Sequence, residues 1–195
     1  SREYDRSDVL KPFQETVTDV ELRSTELAKL RQKQIDLQSK RQQLSKEEQE
    51  RFDELNRTVQ PTVQKTFEVN KALYEDAKSE VEKIAEDATK TLNASLSPFP
   101  IKRPERASVK TIRWYNSFTE KLGDGARVNI VVENEADAKK VFDSIDKKYP
   151  VSKGDKDLRR VREVTELGYP KKLIEVRTSN GIIAEIQVCL LYTSP

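Results

Sequence analysis

The segment Ser95-Leu-Ser-Pro-Phe-Pro100 constrains the fold of this chain more than any other. Prolines at 98 and 100 cannot continue a helix, and each pushes the residue before it toward an extended conformation. On its N-terminal side the sequence is suited to helices. On its C-terminal side, short helical stretches alternate with β-branched runs. A division follows into residues 1–94, a linker at 95–100, an α/β stretch at 101–188 and a tail at 189–195.

From Val9 to Leu44 there is no glycine and a single proline, Pro12, so a long helix is expected. Phe13, Val20 and Leu27 recur every seven residues with Leu30, Leu37 and Leu44 offset by three, which draws an apolar seam interrupted by Gln34 and Arg41. Ser45 and Glu48 have capping-box spacing, so a new helix starts there. Pro61 predicts a kink or break. Beyond it Phe67, Tyr74, Val81 and Ala88 repeat in sevens beside Ala77 and Ile84. The two arms read as an antiparallel, coiled-coil-like hairpin that offers a surface for self-association. Acidic and basic residues alternate on its outer faces, as on a solvated coiled coil rather than a nucleic-acid surface.

Charge narrows the function classes. With 36 basic and 34 acidic residues the formal net charge is +2, so no global field attracts nucleic acid or an anionic membrane, and any anion site must be a local cluster. No run of apolar residues is long enough to span a bilayer and no secretory signal opens the chain, which predicts a cytoplasmic protein. The absence of histidine excludes His-based triads and His zinc sites, and one cysteine excludes a disulfide within the chain. Lacking methionine, the chain reads as a fragment of something longer. Its last residues, CLLYTSP, resemble the in-frame translation of a transposase-type sequencing adapter. On that reading natural sequence ends near Val188, and the tail packs poorly and adds no functional group.

After the Pro-rich segment a helix is expected from about Glu105 to Leu122, followed by a Gly123-Asp-Gly125 turn and a strand over Arg127–Val132. Asn134 then caps a helix over Glu135–Lys148. Short strands are expected around Val151 and from Arg160 to Val164. Two final strands, Leu173–Thr178 and Ile182–Val188, flank Ser179-Asn180-Gly181, a three-residue loop with Gly181 left-handed. In that register Ile174, Val176 and Thr178 share a face with Ile182, Ala184 and Ile186. The other face sets Glu175 nearly opposite Glu185, with Arg177 and Gln187 nearby. On residue chemistry alone this is an exposed face on which Arg177 bridges the acids.

Lys102, Arg103, Arg106 and Lys110 gather near a helix start, with Arg106 and Lys110 on one helical face. Such a cluster can cradle phosphates, or be a solvated basic patch. Asp124 at a strand entrance, with a distant Glu, is raw material for a magnesium site.

Taken together, residues 97–188 resemble the synthetase domain of the RelA/SpoT (p)ppGpp synthetases. The family's two lysines eight residues apart match Lys102 and Lys110, and its Asp and Arg at the first strand match Asp124 and Arg127. Its Gly-Tyr element matches Gly168 and Tyr169, and its Glu-Ile-Gln strand matches Glu185-Ile186-Gln187. The chain departs from the family at Pro100, which stands where an Arg is usual, and at Pro170, Lys171 and Leu173, which replace polar residues. The spacing through Arg106 is similar to that of divergent actinobacterial and phage-associated members.

With the hairpin read above, the resemblance gives an expected α+β fold: a long N-terminal helical hairpin followed by a small mixed-sheet nucleotidyltransferase-like domain flanked by helices. It implies transfer of pyrophosphate from ATP to a ribose 3′-hydroxyl of a guanine nucleotide or related acceptor, tRNA included, with Mg²⁺ as cofactor. Asp124 and Glu185 would be catalytic and bind the metal. Lys102, Arg103, Arg106, Lys110, Arg127, Tyr169 and Gln187 would bind nucleotide, Tyr169 by stacking on the acceptor base. The alternative is an inactive nucleotide-binding or structural module of a larger phage or mobile-element protein.

Overall fold

The computed structural model describes residues 14–115, 121–151, 155–160, 162–166 and 169–191. By packing the chain forms two units. One comprises residues 9–71 and 103–122, the other residues 72–102 and 123–195 together with the first eight. This partition differs from a cut at 95–100, because each unit takes one helix from the far side of the Pro-rich segment.

The first unit contains α1 (Gln14–Ser39), α2 (Lys46–Val69) and α4 (Pro104–Tyr115). In α2, Phe52, Leu55, Val59, Val63 and Phe67 are buried at intervals of three and four, the stripe a helix needs to cover a neighbour. Leu27 of α1 is fully buried, and each such side chain contributes roughly 1.5–3 kcal/mol. The expected capping box is present: Glu48 N donates to Ser45 Oγ and Ser45 N donates to Glu48 Oε1, both at 3.2 Å. At the hairpin tip Arg41 takes a left-handed φ of 56°, and Gln42 N reaches back to Leu37 O at 2.8 Å, which closes the end of α1. Leu44 therefore lies past α1, and Phe13 lies outside the described residues.

Pro61 does not break the second arm, which runs through it to Val69. Its ring is on the exposed face, where water can satisfy the carbonyl that loses its partner. The interruption comes instead at Asn70, whose N and Nδ2 both donate to Thr66 O, at 3.1 and 2.8 Å.

Polar pairs hold the arms of the hairpin antiparallel. Arg51 makes two bonds of 2.8 Å to Glu26, and Arg31 Nη2 donates to Asn56 Oδ1 at 2.9 Å. The Arg51 guanidinium draws the Glu26 carboxyl below its ordinary 4.5. A depressed carboxylate pKa adds stability above the unfolded value, which is lost as pH falls through the folded one. The stability difference between wild type and Glu26→Gln, about 1 kcal/mol or less because the pair is exposed, is therefore expected to be constant above about pH 4.5 and to decline progressively as pH falls below it, through the lowered folded pKa. Urea unfolding followed by circular dichroism at several pH values measures it.

The second unit contains α3 (Lys71–Thr89), β1 (Ser95–Pro98), β2 (Ala126–Val132), α5 (Glu135–Lys148), β3 (Arg162–Glu166), β4 (Tyr169–Arg177) and β5 (Ile183–Leu190). Its sheet has the order β1-β2-β5-β4-β3, with β2 and β5 parallel and the other pairs antiparallel. The expected linker is thus partly a strand, and β1 sits at the sheet edge, where proline is tolerated. Asn134 caps α5 as expected, accepting from Asp137 N at 2.9 Å. Ala138, Val141, Phe142 and Ile145 of α5 are buried, as are the β2 and β5 side chains Val128, Ile130 and Ile186.

Tyr74, Ala77, Val81, Ile84 and Ala85 bury one side of α3 within this unit, not in the hairpin seam. Glu80 accepts from Ser179 N at 3.0 Å and Asn180 Nδ2 donates to Leu73 O at 2.9 Å, which ties α3 to the β4–β5 turn.

That turn has the expected form. Gly181 adopts φ 88°, with Thr178 N bonded to Ile182 O at 2.9 Å. Ile174 pairs with Ile186 and Val176 with Ala184. The strands are longer than expected, however: Cys189 and Leu190 continue β5 beside Val131 and Val132, and Leu191 N donates to Val132 O at 2.7 Å. This part of the expected tail is paired rather than loose, and the remainder lies outside the described residues. Val151 belongs to no strand, and the strand expected at 160–164 lies at Arg162–Glu166. Of the helix expected to reach Leu122, the α-helix is seen to Tyr115, Lys121 is in a 3-10 conformation, Leu122 is outside any helix, and residues 116–120 lie outside the described ones. No helix among the described residues is long and apolar enough to cross a membrane.

Candidate active site

Sheet register places the polar side chains before any contact is considered. Arg127 on β2 is level with Glu185 on β5, which is level with Glu175 on β4. Beyond Glu175 comes Arg159, since Glu175 N donates to Arg159 O at 3.0 Å. Two carboxylates thus lie side by side, with Arg127 level with Glu185 on one side and the Arg159 backbone beside Glu175 on the other. Like charges directly opposite each other on paired strands are costly unless other groups offset the repulsion.

Both carboxylates are buried, Glu175 at 3% exposure and Glu185 at 4%. This overturns the expectation of an exposed face. Arg177 binds Asp155 through Nε and Nη2 at 3.0 and 2.8 Å and donates to Gly181 O. A buried carboxylate needs hydrogen-bond donors. Glu185 Oε1 accepts from Gln187 Nε2 at 2.8 Å, and Glu175 Oε1 accepts from Arg159 N at 2.8 Å. Gln187, two residues along β5 on the same face, thereby orients Glu185.

The turn before β2 brings up the other charged pair. Lys102 N donates to Gly125 O at 2.9 Å, and Lys102 Nζ lies 3.2 Å from Asp124 Oδ2, with both side chains nearly buried. The Arg127 guanidinium stacks over the Phe99 ring at 4.6 Å from its centroid, so the Pro-rich segment contributes a cation–π contact. A Cβ on Gly123 would collide with the Glu175 carboxylate, which places Glu175 against the turn that carries Asp124.

The sequence-predicted residues therefore divide. Lys102, Asp124, Arg127, Glu185 and Gln187 belong to the sheet unit, whereas Arg103, Arg106 and Lys110 belong to the helical unit, with Arg103 and Arg106 exposed and Lys110 half-buried. Tyr169 opens β4, paired with Glu166, and Gly168 lies outside the described residues. Sequence reasoning missed the burial of Glu175 and the Asp155–Arg177 pair. The Glu175–Glu185 register was the available signal for the first. Among the described residues no group of three His, Cys, Asp or Glu side chains could hold a metal. Two carboxylates still suit Mg²⁺, which commonly takes one or two from a protein and its remaining oxygens from water and phosphates.

The mixed five-stranded sheet, with helices and a carboxylate-lined polar face, defines a nucleotidyltransferase-like α+β domain. The mixed-sheet α+β architecture expected from the motifs is the one found. A chain in the crystal structure of the complex between the Type VI effector Tas1 and its immunity protein is 26% identical, with a TM-score of 0.53 over 65% of this chain and 62% of that one. The small alarmone synthetase 1 from Bacillus subtilis bound to its product pppGpp is 16% identical, with a TM-score of 0.39 over 65% of this chain and 74% of that one. A GTP pyrophosphokinase family protein from Streptococcus pneumoniae is 22% identical, with a TM-score of 0.38 over 65% and 68%. The last two scores are too low to add to the argument. Neither a protein-family model nor a curated protein sequence matches the chain.

Proposed function

We propose that this protein transfers pyrophosphate from ATP to a ribose 3′-hydroxyl of a guanine nucleotide or related acceptor. The observation that carries the reading is the nearly buried Lys102–Asp124 pair at the mouth of β2, in the same unit as the buried Glu185. In the reaction the acceptor hydroxyl attacks the β-phosphorus of ATP, the bond from that phosphorus to the α,β-bridging oxygen breaks, and AMP leaves. The hydroxyl proton passes to the carboxylate of Glu185, held in position by Gln187. Lys102 acts as a point charge on the donor phosphates, and Arg127 is the further phosphate-binding cation of the proposal in the same unit. Tyr169 stacks on the acceptor base. Asp124 and Glu185 are the residues that would hold Mg²⁺, which when bound neutralises phosphate charge. Such chemistry is mostly positioning and electrostatics, so these groups suffice in kind.

The test incubates the protein with labelled ATP, Mg²⁺ and, separately, GDP, GTP or uncharged tRNA, and separates the products. Transfer to at least one acceptor is expected. Lys102→Ala is expected to raise the KM for ATP by roughly 10- to 100-fold, the worth of one charge-assisted phosphate contact. No transfer to any acceptor, with ATP still bound, would replace this reading by an inactive nucleotide-binding module, the role that Pro100 and Lys171 would then reflect.

A further inference from the structure

Glu175 is a buried carboxylate to which none of the matched motif positions gives a role. It stands on an interior strand, level with Glu185 on the central strand β5, and its backbone and side chain both bond to the Arg159 backbone. The Arg160 guanidinium also donates to its carbonyl, Nη1 to O at 2.8 Å. An apolar residue would fill this place in β4 at lower cost, since burying a carboxylate beside another is unfavourable unless its contacts repay it. The contact it makes toward the site is steric: its carboxylate occupies the space that a Cβ on Gly123 would need. Gly123 begins the turn whose next residue is Asp124 and whose third, Gly125, accepts from Lys102 N.

We propose that Glu175 is a positioning residue that seats the Gly123–Gly125 turn and so fixes Asp124 and its partner Lys102 relative to the sheet. Its two ends have separate tasks. Arg159 N–H anchors one carboxylate oxygen, and the head group bears on the glycine backbone, which only a residue without Cβ allows to come so close. In its consequence for the reaction the inference rests on the transferase reading above. The placement of the turn does not, and the two can be tested apart.

The measurement is amide hydrogen exchange followed by NMR at Lys102, whose N–H is protected by Gly125 O, with Ile186 in the sheet core as the internal reference. Glu175→Ala is expected to speed exchange at Lys102 by about tenfold or more relative to Ile186, as a local opening. Glu175→Gln retains the volume and an oxygen for Arg159 N–H, and should stay within about threefold of wild type. Gly123→Ala approaches the same contact from the other side and should speed exchange at Lys102 even if Glu175→Ala fails to fold. Adding Glu175→Ala to Gly123→Ala relieves the collision, so the double variant should open less than the two single effects combined. Unchanged exchange at Lys102 in both single variants, or an increase shared equally by Ile186, overturns the proposal. The same variants are then assayed for transfer. Glu175→Ala is expected to lower kcat with little change in the KM for ATP, and Glu175→Gln to restore it. Glu175→Gln as inactive as Glu175→Ala, with exchange normal, would mean that the charge acts directly and would also overturn a positioning role. Absence of transfer in the wild type sinks the transferase reading alone, because the exchange data still decide whether Glu175 seats the turn.

Discussion

Glu185→Gln is expected to lower kcat for pyrophosphate transfer by at least about 10²- to 10⁴-fold, the range for loss of a general base, while ATP binding changes by less than about threefold. The substitution keeps the shape of the side chain and an oxygen that Gln187 Nε2 can still reach, so the strand and its register should survive. What is lost is the negative charge and the capacity to accept a proton, and both matter more in the transition state than in the ground state. Single-turnover measurement with saturating acceptor, alongside calorimetric ATP binding, separates the two. A kcat within tenfold of wild type would remove Glu185 from the chemistry. A parallel loss of ATP affinity would mean that it serves the ground state instead.

Arg177→Met is expected to destabilise the sheet unit by about 3–5 kcal/mol, the usual result of stranding a buried charge. The Asp155 side chain is 2% exposed and its carboxylate takes two bonds from this guanidinium, so no solvent replaces the partner. The same arginine also holds Gly181 O at the β4–β5 turn. Removing both charges, as Asp155→Leu with Arg177→Met, should recover most of the loss, because an apolar pair of similar volume avoids the desolvation cost. Urea unfolding monitored by the near-ultraviolet signal checks both variants. A loss under about 1 kcal/mol for Arg177→Met would show that the pair behaves as an exposed one.

Much of the fold was legible where the signal is local. Ser45 with Glu48, Asn134, and Ser179-Asn180-Gly181 each set a cap or a turn through contacts within a few residues, and each appears as read. The hairpin loop also set the register that brings Glu175 level with Glu185, because the side-chain period of a strand is two and a fixed turn leaves one pairing. Lys102, Asp124 and Glu185 came from motif order and spacing, and the structure brings the first two into contact.

Other features were not legible, because they depend on partners distant in sequence. Proline removes a helical hydrogen bond, so Pro61 predicts a kink or break; the helix continues through it because the residue faces solvent and buried Val59 and Val63 hold the turns on either side. The Pro-rich segment was read as a linker because no helix tolerates it, yet an unpaired edge of β2 was available for it to join. The seam continuing from Phe67 into Tyr74 and Val81 looked like one arm, and a heptad pattern shows that a face is buried without showing what buries it.

By itself, then, the sequence determined most of the elements, their apolar faces and the identities of the charged groups, since capping, turn geometry and periodicity act over a few residues. Tertiary structure decided which unit covers α3, that the Glu175–Glu185 face is buried rather than solvated, and that Arg177 pairs with Asp155. The physical reason is that desolvation and ion-pair choice depend on every group packed around a charge, and those groups come from strands and loops far apart along the chain.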